Sequence, residues 1–218
     1  MTPNDQATWH VGHNTDAELQ ELPLSEPAPA ADQISVLAAD PIMNPDEAYL
    51  ANTTKIDISG LTFSASYDSI SDGVLTVTFS DALQKLGPVP TSWQTWSSPP
   101  FSEDPNPDVL YSPQNSLTME LSREVSVFGF ELEPGPFDEI EYTAEFFRGD
   151  TLVESVTRSI NGFYGARLLA VEGGRIDRVV VTGGADFAIA QVRYELPLIL
   201  MWLAVVLLLV LILALILL

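Results

Sequence analysis

Between Glu139 and Phe146 the chain alternates strictly, with Ile140, Tyr142, Ala144 and Phe146 interleaved with Glu139, Glu141, Thr143 and Glu145. A period of two sends successive side chains to opposite faces of an extended strand, so one face is core and the other is wet. From Ile56 onward the chain consists of short β-branched and aromatic runs punctuated by Gly, Asp and Ser. That spacing predicts an all-β fold, an antiparallel β-sandwich of jelly-roll or galactose-binding-like type. The expected strands are 61–66, 73–80, 116–122, 125–133, 139–148, 151–159, 165–171, 176–183 and 186–194.

Between the second and third of these runs lies the irregular stretch Gly87 to Asn115, with seven prolines and the aromatics Trp93, Trp96, Phe101 and Tyr111. Loops of this length without secondary structure are uncommon unless they are functional. Aromatic faces offer apolar area at low entropic cost, so Trp93, Trp96, Phe101 and Tyr111 are the candidate ligand-binding residues, a platform for stacking on sugar rings. The competing expectation is that the same four side chains plug the open end of the sandwich. A carbohydrate or a protein is the expected class of ligand.

Carboxylates concentrate at Glu131, Glu133, Asp138, Glu139, Glu141 and Glu145. They are oxygen ligands of the kind Ca²⁺ prefers, but alternation explains them more simply as the solvated face of neighbouring strands. Asp104-Pro-Asn-Pro-Asp108 is a second oxygen-rich segment, without the pattern of a calcium loop. The expectation is no cofactor and no metal site. Arg148-Gly149-Asp150 spells the integrin-recognition tripeptide and also reads as an ordinary turn between two strands. His10 and His13 have a metal-compatible spacing but no further ligand beside them.

No phosphate-binding glycine loop, nucleophile elbow or histidine metal motif occurs in the region expected to fold. The expectation is therefore a non-enzyme, with a glycoside hydrolase built on paired glutamates as the alternative. Thirty acidic residues against nine basic ones give a formal charge of −21, which repels phosphates and excludes nucleic acid as a partner. Absence of cysteine closes disulfide, thiolate and Cys-ligated metal chemistry.

From Leu196 to Leu218 no charged or amide side chain occurs. A helix of that length spans roughly 34 Å, slightly more than a hydrocarbon core of about 30 Å, so residues 196–218 are expected to cross a lipid bilayer as a single-pass anchor. Pro197 suits the first turn of such a helix and Trp202 the interfacial depth. The expected organisation is a flexible N-terminal segment over 1–55 with a short helix at 45–52, the sandwich over 56–195, and the transmembrane helix over 196–218. Asn44-Pro45-Asp46-Glu47 supplies the cap, first-turn proline and acidic turn of that short helix. Arg193, the nearest basic residue, and a start without a basic n-region or apolar h-region point to a cytosolic, tail-anchored domain.

Two runs, Val125-Ser-Val-Phe-Gly-Phe-Glu-Leu-Glu-Pro134 and Asp186-Phe-Ala-Ile-Ala-Gln-Val-Arg-Tyr194, resemble recurring segments of uncharacterised β-sandwich domains of exported bacterial surface proteins, many of PEP-CTERM type. The resemblance spans roughly residues 60–194 and implies a central strand, a closing strand before the anchor, and a place at the cell surface. The chain departs from that type in having Glu195-Leu-Pro197 and no terminal arginine cluster. Two functions are thus expected: a membrane-anchored, non-catalytic surface or binding module, or a cytosolic tail-anchored scaffold.

Overall fold

The structure is a computed structural model that describes residues 39–197. His10, His13 and the anchor from residue 198 onward lie outside the described residues. Ten strands and one short helix follow in chain order: β1 (Asp40–Ile42), α1 (Glu47–Asn52), β2 (Thr54–Lys55), β3 (Ser66–Ser71), β4 (Thr76–Leu86), β5 (Val109–Ser112), β6 (Ser116–Pro134), β7 (Glu139–Arg148), β8 (Thr151–Asn161), β9 (Arg167–Gly183) and β10 (Phe187–Glu195). Among the described residues no helix is long and apolar enough to cross a membrane.

All pairings are antiparallel, in the order β2-β10-β5-β4-β6-β9-β7-β8, with β1 added to β9 and β3 to β4. The long strands bend the sheet into a two-layer β-sandwich. The first half of β6 pairs with β4 (Leu121 opposite Val77) and the second half with β10 (Leu132 opposite Ile189). The register shifts at Glu120 to Val127 mark the change of layer, as bulges commonly do where a strand re-aims. β9 follows the same bend, giving its start to β1 and its end to β7.

The alternation that predicted β7 is realised: Tyr142, Ala144 and Phe146 are fully buried. Gly183 faces Tyr142 across the β7–β9 pair, and a Cβ there would run into the tyrosine ring. The phenol hydroxyl crosses that gap to donate to the Ala185 carbonyl at 3.0 Å. Phe128, Phe130, Leu132, Phe187 and Ile189 complete the main core between the layers.

Several expectations are corrected. Segments 116–122 and 125–133 are one strand, β6, and 165–171 and 176–183 belong to another, β9, because the bulges bend these strands without ending them. The first expected strand begins at Ser66 instead of 61: Ser64 has φ +62°, and the Tyr67 hydroxyl accepts from the Thr62 amide at 2.7 Å, closing a turn. Structure also begins before residue 56, since β1, α1 and β2 pack or pair with the sandwich. The α1 cap is Asp46, whose carboxylate accepts the Tyr49 amide at 2.8 Å, two residues beyond the Asn44 cap expected.

Candidate functional site

In β10, Phe187 and Ile189 point into the main core, while Ala188 and Ala190 form a second apolar cluster with Val89, Trp96, Val109 and Ala166. The Pro-rich segment 87–108 therefore lies over the outer face of this layer, and small alanines leave room for the Trp96 indole. β6 is covered in the same way. Glu131 and Glu133, expected on a solvated face, are 1% and 0% exposed.

Each buried carboxylate is held by an indole. Trp96 Nε1 donates to Glu131 Oε2 at 2.7 Å, and the Glu103 amide donates to Glu131 Oε1 at 2.6 Å. Trp93 Nε1 donates to Glu133 Oε2 at 2.7 Å, with Thr95 Oγ1 and the Gly165 amide supplying longer bonds at 3.3 and 3.2 Å. Burial dominates the titration, pushing both glutamates up to about 7 despite these donors. A carboxylate enclosed in this way is closed to calcium and to a substrate, which corrects its reading as a solvated, metal-facing or acid–base group. Glu139 and Glu141 do lie on the wet face, and Glu139 accepts from Ser159 at 2.6 Å. Among the described residues no three His, Cys, Asp or Glu side chains are arranged to hold a metal.

The four candidate aromatics separate. Trp96 is 1% exposed and plugs the layer. Phe101 is 46% exposed, with the Arg167 guanidinium 4.4 Å from its ring centre. Trp93 and Tyr111, both half-buried, come together with ring centres 5.8 Å apart and planes tilted by 42°. They line a cleft of about 340 Å³ with Gln84, Gln94, Phe137 and Asp186. The Tyr111 hydroxyl donates to Asp186 Oδ2 at 2.8 Å, and burial followed by that bond raises its pKa. Two exposed or half-buried amides and a carboxylate thus flank two fixed rings, a combination of apolar faces with a few placed polar groups.

Ion pairs fix the covering segment. Lys85, 3% exposed, donates to Asp108 at 2.6 Å. Arg193 forms a fork with Glu103 at 2.7 and 3.0 Å and also reaches the Thr53 carbonyl at 3.0 Å. Arg193 is therefore committed inside the domain as a structural cation. Arg148-Gly149-Asp150 occupies the β7–β8 turn, where Gly149 has φ +54° and Arg148 pairs with Glu124 at 2.9 Å. That is ordinary turn chemistry.

Phe137, Phe163 and Tyr164 stand exposed at the cleft, Phe137 within its lining and the other two beside it. Their signal was faint: each lies in a short turn between strands, where an aromatic has no period to reveal its face.

No family model matches the chain, and no curated protein does. Among solved structures it is similar to TmCBM61 in complex with β-1,4-galactotriose, at 16% identity and TM-score 0.35, covering 57% of this chain and 90% of that one. It is also similar to CsCBM6-3 from Clostridium stercorarium in complex with cellobiose, at 8% identity and TM-score 0.30, covering 66% and 94%. The enzymatically active domain of bacteriophage CBA120 tailspike protein 4 matches at 16% identity and TM-score 0.28, over 68% of this chain and 20% of that one. Likenesses this loose carry no information about a ligand.

Proposed function

We propose that this domain is a non-catalytic module that binds carbohydrate in the Trp93–Tyr111 cleft. The observation that carries the reading is the pairing of those rings at 5.8 Å beside Gln84, Gln94 and Asp186. Sugars present apolar ring faces and a rim of hydroxyls, and this lining offers stacking area with both donors and acceptors at its edge. The finer placement as a jelly-roll or galactose-binding-like sandwich belongs to the same proposal, supported by wholly antiparallel pairing and strands that bend between layers. The test is calorimetric titration with a panel of neutral mono- and oligosaccharides. Gln94→Ala, which removes an exposed amide from the rim, should weaken binding while the fold is retained; an unchanged affinity for every sugar that binds would remove the cleft from the reading.

Tethering to a bilayer through residues 196–218 is the second part of the proposal, supported by the uncharged run itself. Resemblance to exported bacterial domains favours the cell surface. Protease added to intact cells should digest the domain; protection would favour the cytosolic, tail-anchored scaffold instead.

A further inference from the structure

Three aromatic side chains at and beyond the rim of the cleft have no part in the buried clusters: Phe137, Phe163 and Tyr164 are 53%, 57% and 62% exposed. They touch one another, Phe137 and Phe163 edge to face at 5.7 Å, Phe163 and Tyr164 edge to face at 4.7 Å. Phe137 is shared with the cleft lining, and so is Gly162, the residue before Phe163. A continuous aromatic surface thus leads out of the cleft along the β8–β9 turn. An exposed apolar patch of this kind on a chain so acidic marks a contact surface.

The turn that displays these rings is fixed from below by the segment that carries Trp93. Thr95 Oγ1 lies 3.2 Å from the Gly162 carbonyl and shares its one proton between that oxygen and Glu133, Ser97 Oγ donates to the Tyr164 carbonyl at 2.9 Å, and the Gly165 amide donates to Glu133. The Asn161 side chain accepts the Phe163 amide at 2.8 Å, and the Asp138 carbonyl accepts that of Gly162 at 3.1 Å. Within this clamp Tyr164 sits at φ +56°, a left-handed backbone that a bulky residue rarely adopts. Sequence economy would place Gly or Asn there. Holding a tyrosine in that conformation with its ring turned to solvent is a cost that a solvent-facing turn does not require.

We propose that Phe137, Phe163 and Tyr164 extend the Trp93–Tyr111 cleft and that the ligand is an oligosaccharide chain lying across both, rather than a single sugar. This rests on the carbohydrate reading of the cleft. Rings turned by 77° to one another suit a chain that twists from one unit to the next, and the Tyr164 hydroxyl adds a polar handle at the far end. Because the rings are already packed together on a clamped turn, little ordering remains to be done on binding.

The experiment titrates the domain with glucose, galactose and their β-1,4-linked oligomers of increasing length, and repeats the series with Phe163→Ala combined with Tyr164→Asn. Asn tolerates the left-handed backbone, so the turn keeps its path. Affinity in the native chain should rise about tenfold or more between the single sugar and the longer oligomers, one well-made aromatic contact. In the double variant that gain should disappear. Affinity independent of chain length, or a gain that survives in the variant, overturns the extension and leaves the cleft standing. Absence of binding by any sugar in the series overturns the cleft reading and the extension with it. A native domain that dimerises in light scattering, with a variant that does not, assigns the patch to a second copy and overturns the extension.

Discussion

Trp93 donates its indole N–H to the buried carboxylate of Glu133 at 2.7 Å, so the ring that lines the open cleft is oriented by a group that solvent never reaches. Trp93→Phe keeps an aromatic face but strips Glu133 of its shortest donor. A loss of about 1–3 kcal/mol is expected, because the buried acceptor keeps its desolvation cost. Urea denaturation at pH 7.5 measures it, and a wild-type midpoint would refute the coupling.

Glu131 and Glu133 set an unusual pH dependence. Burial raises both from the ordinary 4.5 to about 7, so the folded state holds more protons than the unfolded chain across that interval. Their contribution is fully present below about pH 4.5 and is lost as pH climbs to 7, by about 3 kcal/mol for each group. At the acid end other groups take over. Burial pushes Glu103 up, but hydrogen bonds from Arg193 and Lys55 outweigh it and hold the carboxyl low, so its stabilisation is lost as pH falls below the ordinary carboxyl range. Thermal melts should therefore peak near pH 5 and decline toward neutrality; a melting temperature that rises from pH 5 to 8 would contradict the assignment.

Arg193→Ala should be among the most damaging single changes at a charged position. It leaves Glu103 with only the more exposed Lys55 at 3.0 Å in place of its forked partner, and removes the donor to the Thr53 carbonyl. Breaking one side of a largely buried pair costs about 3–5 kcal/mol when nothing replaces it, and with Lys55 still in place the loss should fall toward the low end, about 3 kcal/mol. The exposed Arg148–Glu124 pair supplies the control, since Arg148→Ala should cost about 1 kcal/mol or less. Equal losses in the two variants would remove the distinction.

Gly162→Ala tests the clamp under the aromatic turn. A Cβ at that position meets the Pro136 carbonyl oxygen, which is backbone and has no rotamer to change. Overpacking of this kind costs about 1–3 kcal/mol and should displace the Phe163 and Tyr164 rings. Near-ultraviolet circular dichroism reports their surroundings, and an unaltered spectrum with native stability would show that the turn has slack.

The strands were legible where one face is wet. Alternation in β7 and β8 marks a half-buried layer, and those strands fall where the pattern puts them. Alternation is lost in the second half of β6 and in β10, although both strands fall close to where they were expected, because their second face is covered by residues 87–108, a segment with no period of its own. Glu131 and Glu133 therefore looked solvated: an i, i+2 pair of acids carries no mark of the indoles that enclose it. The stretch 87–115 is irregular only as far as residue 108, since β5 follows within it and pairs with β4 and β10, and Trp93 and Trp96, only three residues apart, have opposite fates because each reaches a different glutamate. Phe137 and Phe163, on the turns before β7 and after β8, meet only through the fold, because Glu139 pairs with Asn161 at the open end of that hairpin.

Strand β10 is hydrogen-bonded along both edges, to β6 on one side and to β5 and β2 on the other. It is also the last strand among the described residues, ending at Glu195 just before the uncharged run. A pull transmitted through Pro197 would act along the axis of a strand gripped on both sides. Its hydrogen bonds would have to shear together, whereas an edge strand peels one bond at a time.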